Sequence, residues 1–238
     1  MAVRSSATME DTAGSSFAGM NETFTNIEGE AQLCDAVLRC WMSLWGKRVI
    51  AYRKSHGMDQ EPAIAVVVQV MVDSERSGVL FTADPSSGDR SRLVVEGAFG
   101  LGDVVVGGQV EPDTYVLAKD GPRLLETRIG EKTHKLERDP SGGTHRVDLR
   151  PEERSARVLT DQEVLEIGRM CVAIEKHYGV PQDIEWAYAN GKLYCLQARP
   201  ITTLQDEPEP AADSGTGEVL VSGLGASPGV ASGAVRVL

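Results

Sequence analysis

Apolar positions recur along the chain with two periods, and together they predict an α+β fold built mainly on antiparallel sheet. A helical period predicts one long helix over residues 30–57 that ends at Gly57, and another over residues 160–179. The second helix opens with Thr160 and Glu163, which form a capping box, and Gly179 closes it. Strand patterns cover residues 2–5, 62–73, 77–89, 92–100 and 113–130.

Three of these segments carry more specific predictions. The run "PAIAVVVQVMVD" at residues 62–73 is mostly apolar, interrupted by Gln69, and predicts a central strand. Residues 113–130 predict a hairpin that turns at Asp120 and Gly121. Residues 133–150 are polar and contain glycines, so a loop or flap is expected there.

A further hairpin is predicted in "PQDIEWAYANGKLYCLQARPIT", residues 181–202. A two-residue turn at Asn190-Gly191 would pair Glu185 with Leu196 and mix polar with apolar side chains on each face. A three-residue loop with left-handed Gly191 pairs Asp183 with Gln197 instead. The polar residues Asp183, Glu185, Gln197 and Arg199 then share one face. Because the buried face fixes the register of a strand, we predict the three-residue loop.

The polar face of this hairpin has the composition of a metal and phosphate site. Two carboxylates and an amide oxygen are hard donors suited to Mg²⁺, which shares its remaining coordination with phosphates. Arg199 adds a planar fork for a phosphoryl oxygen. The alternative is a surface hairpin with a salt bridge between Asp183 and Arg199, and surface ion pairs are common.

Composition and charge restrict the class of protein. The chain has 238 residues, 41% hydrophobic and 25% charged, which fits a globular protein of one large or two small domains. Its net charge of −11 argues against a nucleic-acid partner, for which a basic face is expected. The longest apolar run, residues 63–72, is too short to span a bilayer.

The cysteines and the chain ends suggest where the protein acts. The four cysteines have no CxxC spacing and no secretory signal is visible, so we expect reduced thiols in the cytoplasm. The sequence begins and ends within strand-like patterns, so the chain is expected to be part of a longer protein. Residues 205–217 have the composition of a linker, and residues 218–238 begin something new.

A second candidate site lies in "RSSATMEDTAGSSFAGMNET", residues 4–23. Its glycines and serines allow backbone N–H groups to approach a phosphate chain, and Arg4 at its base can pair with the same phosphates. The motif is neither a Walker A loop nor GxGxxG, and an ordinary flexible loop is the simpler interpretation of the run taken alone. Together with the polar hairpin it predicts two jaws that close on a nucleoside triphosphate.

Residues between these two sites are candidates for the nucleoside. Gln69 and Met71 lie beside the strand backbone that could face adenine, although core positions are the simpler interpretation of that strand. Glu96 and Asp103 are candidates for the ribose hydroxyls. Clustered glycines near them suggest close approach of the backbone to a ligand or to another strand.

The motifs together resemble a known family. "RSSATMEDTAGSSFAGMNETFTNI", "SLWGKRVIAYR", "GVLFTADPSSG", "EGAFGLGDVVVGGQVEPDTY" and "DIEWAYANGKLYCLQARPIT" are similar, in order, to the nucleotide-binding domain of the phosphoenolpyruvate synthase and pyruvate phosphate dikinase family. The resemblance runs from Ala2 to Thr203 and implies an ATP-grasp fold. It also implies that a lysine-bearing subdomain normally precedes Arg4, so the fold is expected to lack its N-terminal subdomain.

The resemblance implies a role for each candidate residue. Arg4 would hold the β- and γ-phosphates of ATP and Arg199 would lie on the transferred phosphoryl group, both as catalytic residues. Glu185 and Gln197 would bind Mg²⁺ beside Asp183. The phosphates of ATP would be held by the loop residues Ser16, Phe17, Ala18, Gly19, Met20 and Asn21.

The same resemblance predicts the organisation and the reaction. Residues 1–204 would be a partial ATP-grasp region, 205–217 a linker, and 218–238 the start of a swivelling phosphohistidine domain. The parent enzyme would convert ATP, pyruvate and water into phosphoenolpyruvate, AMP and phosphate, with pyruvate bound by C-terminal domains outside this chain. A rifampin phosphotransferase and a non-catalytic nucleotide-binding fragment are the alternatives. A homodimer of the full-length enzyme is one arrangement left open.

Overall fold

The computed structural model describes residues 1–7, 22–55, 63–140, 142–201 and 204. These residues belong to two compact units. The first contains Met1–Asp73 and Leu136–Arg146, and the second contains Ser74–Lys135 and Val147–Leu238. Each unit is described by itself below. The predicted linker and the predicted swivelling segment lie outside the described residues, so the predicted domain boundaries remain predictions.

The first unit is a three-stranded antiparallel sheet with two helices. β1 (Ala2–Ala7) lies between β2 (Thr23–Phe24) and β3 (Ile64–Gln69). The helices are α1 (Gly29–Ser43) and α2 (Lys47–Ser55). The small core of this unit consists of buried Val3, Ala36 and Cys40, because α1 packs one apolar face against the sheet.

Two predictions fail in the first unit. The single long helix is two helices, since Trp45 and Gly46 donate backbone hydrogen bonds to Met42 and Ser43 and so close the last turn of α1 early. The strand predicted to be central, β3, lies at an edge of the sheet among the described residues. A central strand is buried on both faces, whereas Val67 and Val68 are more than two-fifths exposed. Gly57, the predicted helix end, lies outside the described residues.

The second unit is built on a six-stranded antiparallel sheet. Its strands are ordered β11-β10-β4-β5-β6-β7. Their bounds are β4 (Arg76–Phe81), β5 (Arg92–Phe99), β6 (Asp113–Ala118), β7 (Arg123–Arg128), β10 (Gln182–Ala189) and β11 (Lys192–Pro200). Two short helices, α3 (Asp103–Val106) and α4 (Pro151–Arg154), occupy connections between strands. The predicted α+β class and the antiparallel sheet are confirmed.

One long helix covers one face of this sheet. α5 (Asp161–Tyr178) begins as predicted, because Thr160 accepts a hydrogen bond from the Glu163 backbone and the Glu163 side chain accepts one from the Thr160 backbone. It ends at left-handed Gly179, also as predicted. The buried core between α5 and the sheet includes Leu80, Tyr115, Ile167, Ile184 and Trp186. Side chains at alternate strand positions therefore point to the opposite face of the sheet.

The segment predicted as a polar loop forms a small hairpin. β8 (His134–Arg138) pairs with β9 (Thr144–Asp148), and Gly142 and Gly143 at its turn have positive φ. Its strands are rich in charged residues, so a search for alternating hydrophobic positions does not detect them. Among the described residues, no helix combines the length and the apolar character needed to cross a membrane.

Candidate functional site

The turn of the β10–β11 hairpin has two residues and not three. Ala189 pairs with Lys192, and Asn190 and Gly191 both have positive φ, at 51° and 69°. That is the backbone of a type I′ turn, which matches the natural twist of a hairpin. The predicted three-residue loop is therefore wrong.

The polar face forms nevertheless, because a β-bulge further along the hairpin corrects the register. Trp186 pairs with Cys195, but the preceding residue, Glu185, pairs with Gln197. Leu196 is thus the extra residue of β11. Beyond the bulge Asp183 pairs with Arg199. Cross-strand partners point to the same face, so the predicted grouping of the four polar side chains is confirmed, although each acid faces a different partner than predicted.

This face lies opposite α5, since Ile184 and Trp186, which alternate with the acids, are buried in the core beneath α5. Two rows of cross-strand partners extend from the hairpin onto the neighbouring strands. Glu185 lies opposite Val79, which lies opposite Glu96, and Asp183 lies opposite Phe81. The site residues are therefore held by adjacent strands of a single sheet within one unit.

Asp183 and Arg199 form an ion pair. Arg199 donates from Nε and Nη2 to the same Oδ2 of Asp183, at 2.9 and 2.8 Å. The Asp183 side chain is 15% exposed and the Arg199 side chain is 35% exposed. The salt bridge of the alternative interpretation is thus present, and it joins a half-buried guanidinium to a largely buried carboxylate. This contact orients the guanidinium on the polar face.

Glu96 is the most buried acid in this group. It is 7% exposed, and it lies on β5 between Val79 of β4 and Thr114 of β6. Burial, and then the negative charge of nearby Asp183, raise the pKa of Glu96 above its usual value. A carboxyl group in this position can carry a proton more readily than an exposed one, and it can donate a hydrogen bond when it does.

The other predicted site residues are distributed over both units. Arg4 lies on β1 opposite Val67, and Gln69 ends β3, with Met71 two residues further on. These three belong to the first unit. Asp103 is exposed at the start of α3 in the second unit. The predicted phosphate loop, Ser16 to Asn21, lies outside the described residues, and its role remains a prediction.

Hard oxygen donors on the hairpin could hold a metal ion. The Glu185 carboxylate and the Gln197 amide are direct cross-strand partners, with Asp183 two residues from Glu185 on the same face. The described part of the chain holds no group of three or more His, Cys, Asp or Glu side chains arranged for a metal. This donor set suits an ion that takes few protein ligands and completes its shell with phosphate oxygens, which is the habit of Mg²⁺.

A concavity of about 370 Å³ elsewhere in the second unit contains none of the predicted site residues. It is lined by Glu111, Ile129, Gly130, Glu131, Pro151, Arg154 and Ser155. Beneath it, buried Lys132 donates to Asp113 and, at 2.8 Å, to the Gly130 carbonyl. Asp113 also accepts from the backbone N–H groups of Gly130 and Val158. Both oxygens of that buried carboxylate thus accept hydrogen bonds that join segments of the fold.

Sequence reasoning missed the residues that hold the hairpin in place. In the sequence, Trp186 is one of several apolar positions in the hairpin, Gly78 lies in a strand pattern, and Gly97 belongs to a cluster of glycines. The signal that could have found them is the size difference between a tryptophan and two glycines on neighbouring strands. That signal becomes visible only once the strand order is known.

A family model and individual relatives point to the same group of proteins. The family model described as "Pyruvate phosphate dikinase, AMP/ATP-binding domain" matches residues 1–218. A "Probable phosphoenolpyruvate synthase" from Archaeoglobus fulgidus is 47% identical over 243 residues, which cover 100% of this chain and 32% of the relative. The "Phosphoenolpyruvate synthase" of Pyrococcus furiosus is 44% identical over 249 residues, covering 100% of this chain and 30% of the relative.

A relative with a different name is also similar. The "Rifampicin phosphotransferase" of Bacillus cereus is 39% identical over 222 residues, which cover 93% of this chain and 25% of that protein. The chain thus spans a third or less of the length of each of these three curated relatives.

Proposed function

Because the chain belongs to the pyruvate phosphate dikinase AMP/ATP-binding domain family, we propose that it supplies the Mg·ATP site of a phosphoenolpyruvate synthase-like phosphotransferase. The family resemblance described from the motifs is confirmed by the match over residues 1–218. The ATP-grasp fold, the metal and the reaction are parts of the proposal.

One observation carries the proposal further than family membership does. The Glu185–Gln197 pair and the Asp183–Arg199 pair are successive on the same face of one hairpin. They bring oxygen donors for a metal next to a guanidinium that can bind a phosphoryl oxygen. A surface hairpin without a binding role would not require a bulge that turns an amide and a guanidinium onto the same face as two acids.

Each side chain has a proposed task. Glu185 and Gln197 would hold Mg²⁺, which would neutralise charge on the phosphates of ATP when bound. Arg199 would bind a transferred phosphoryl oxygen, and Asp183 would keep the guanidinium turned toward it. Glu96 would hydrogen-bond a nucleotide hydroxyl, together with Asp103. Arg4 and the loop from Ser16 to Asn21 would bind the phosphate chain, with Gln69 and Met71 beside the base.

The parent reaction follows from the names of the relatives and from the resemblance. We propose that the full-length protein passes a phosphoryl group from ATP to a histidine outside this chain and then to pyruvate, so that this chain alone forms no phosphoenolpyruvate. The four cysteines are free, in keeping with a cytoplasmic enzyme.

A second candidate is a rifampicin phosphotransferase, favoured by the similarity to the Bacillus cereus protein over 93% of the chain. Both candidates use the same ATP site, so the hairpin geometry does not separate them. Stimulation of ATP consumption by rifampicin in the full-length protein would favour the second candidate, and stimulation by pyruvate would favour the first.

Calorimetry tests the proposed metal site directly. ATP is titrated into the chain in excess Mg²⁺ and again in EDTA, for the wild type, Glu185→Ala and Gln197→Ala. We expect Mg²⁺ to strengthen binding in the wild type and each substitution to weaken the Mg²⁺-dependent affinity by about 10- to 100-fold, because each removes an oxygen that would contact the charged metal ion. Glu152→Ala and Gln162→Ala, exposed residues of the second unit, are matched controls expected to bind as the wild type does. Equal Mg²⁺ dependence in all five proteins would contradict the assignment.

A further inference from the structure

We infer that Trp186 is a positioning residue that sets the register of the Glu185–Gln197 pair. Its indole is anchored against β4 and β5, which lie on the side of β10 away from β11. The expected effect on Mg·ATP binding rests on the proposed function, whereas the anchoring of the indole is seen in the fold itself. Trp186 does not face the polar surface, and it has no direct contact to offer a nucleotide there.

The indole occupies a notch made by two glycines. Gly78 on β4 and Gly97 on β5 are cross-strand partners, and Gly78 is also the partner of Trp186 on β10. A Cβ on Gly97 would lie 3.0 Å from indole Cζ2, and a Cβ on Gly78 would lie 2.8 Å from the same atom and 1.8 Å from the Glu96 carbonyl oxygen. A Cβ at Gly78 is therefore excluded by the backbone of β5 as well as by the ring, and a Cβ at Gly97 would require the ring to shift. The ring is fully buried.

A directional bond fixes the ring within the notch. Trp186 Nε1 donates to the backbone carbonyl of Val79 at 3.2 Å. Val79 is the residue directly opposite Glu185 on one side and Glu96 on the other. A buried indole N–H needs such a partner, so the bond ties β10 to β4 at the level of the acidic residues.

The anchor lies at the point where the hairpin register shifts. Counted from the turn, an unbroken ladder would pair Glu185 with Leu196 and Ile184 with Gln197, because Ala189 pairs with Lys192. The Gln197 amide would then point into the core side of the sheet, and Arg199 with it. The shift falls between Glu185 and Trp186, so the residue next to the bulge is the one that the notch immobilises.

The neighbouring aromatic residue is anchored differently. Tyr188 donates its hydroxyl hydrogen to Glu166 of α5 at 2.8 Å, which secures β10 on the turn side of the bulge. On the other side of the bulge the ladder continues in its new register to Gln182 and Pro200. Bulges disrupt the ladder locally, so a fixed point at Trp186 is what determines which side of the sheet Gln197 joins.

The test uses Trp186→Phe in the 238-residue chain, with Trp41→Phe as the matched control, because Trp41 is 52% exposed in the other unit. Phenylalanine removes the N–H donor and the fused ring while keeping an aromatic core residue. We expect ATP affinity in EDTA to stay at the wild-type value and the Mg²⁺-dependent gain to fall at least about fivefold. Gly97→Ala is a second variant, which displaces the ring from a different strand and should act in the same direction.

Two further measurements distinguish a role in positioning the metal site from a purely structural role of Trp186. In the Gln197→Ala background, Trp186→Phe should cost nothing more in Mg²⁺-dependent affinity, because its effect on the metal site passes through that amide. Cross-strand NOEs in isotopically labelled protein should join residues 185 and 197 in the wild type and weaken in favour of residues 185 and 196 in the variant.

The outcomes are distinguishable from failure of the proposed function. A variant that unfolds at a lower temperature but keeps the wild-type Mg²⁺ dependence and the wild-type NOEs overturns the inference. If the wild type shows no Mg²⁺-dependent binding, the proposed function fails, and the NOE comparison alone then decides whether Trp186 sets the register.

Discussion

The two units of the chain differ in how completely they bury their own apolar residues. Among the described residues, the core cluster of the first unit contains buried Val3, Ala36 and Cys40, while Trp41, Trp45 and Val70 are exposed by 52%, 61% and 81%. The second unit covers one face of a six-stranded sheet with α5 and buries Trp186, Tyr115 and Leu80 completely. Exposed apolar side chains contribute little to stability, so the second unit is expected to be the more stable one.

The polar hairpin of the candidate site belongs to the unit with the larger buried core. The polar face of the β10–β11 hairpin is held by contacts within the second unit alone, from the glycine notch to the Asp183–Arg199 pair. The predicted phosphate loop follows β1 of the first unit and lies outside the described residues. A rigid scaffold beneath one half of a site positions its side chains before any ligand binds.

The largest effect is expected from breaking the buried ion pair of the second unit. Asp113→Ala would leave Lys132 buried without its partner and remove the acceptor of the Gly130 and Val158 N–H groups. We expect the free energy of unfolding of this unit to fall by about 3–5 kcal/mol. With Trp41 and Trp45 replaced by phenylalanine, Trp186 is the one remaining tryptophan, and its fluorescence in urea reports this unit.

A matched control uses an exposed pair in the same unit. Arg128 and Glu126 lie 3.5 Å apart with side chains 66% and 57% exposed. Arg128→Ala should change the free energy of unfolding by about 1 kcal/mol or less. Equal losses in the two variants would show that the buried network contributes no more than a surface contact does.

A second pair of substitutions compares the units directly. Leu80→Ala removes a fully buried side chain from the second core and should cost about 2–5 kcal/mol. Leu38→Ala removes one that is 52% exposed in the first unit and should stay within about 0.5 kcal/mol. Urea unfolding of both variants measures the difference, and a large loss in Leu38→Ala would mean that its helix face is covered in solution.

The smallest effect concerns the pH dependence of the second unit. Because burial and Asp183 raise the pKa of Glu96, its contribution to stability is fully present below the unfolded carboxyl pKa of about 4.3 and is lost as the pH rises through the folded-state pKa. Glu96→Gln should therefore stabilise the unit at pH 7, by less than the losses above. The advantage should shrink toward zero at pH values below about 4. A variant that is less stable than the wild type at pH 7 would contradict this sign.

Much of the second unit could be predicted from local sequence. The ends of α5 follow from Thr160, Glu163 and Gly179, whose capping and left-handed conformations are local properties. The grouping of the hairpin's polar residues follows from the need to bury Ile184 and Trp186 together. These predictions were confirmed because neighbouring residues alone determine them.

The rest could not be predicted, because it depends on residues distant in sequence. The choice between a two-residue turn with a bulge and a three-residue loop gives the same face, and the notch of Gly78 and Gly97 that receives Trp186 is visible only in the folded sheet. The edge position of β3 likewise depends on which strands pair with it. The roles of Arg4, Gln69, Met71 and the phosphate loop remain predictions.

Paramagnetic broadening tests the central claim most directly. Mn²⁺ is added at substoichiometric amounts to the ¹⁵N-labelled chain with ATP, in place of Mg²⁺. The account predicts that the amide signals of residues 183, 185 and 197 broaden first, and that Glu185→Ala abolishes the effect. Broadening centred on the Glu111 and Glu131 concavity, or unchanged broadening in Glu185→Ala, would contradict it.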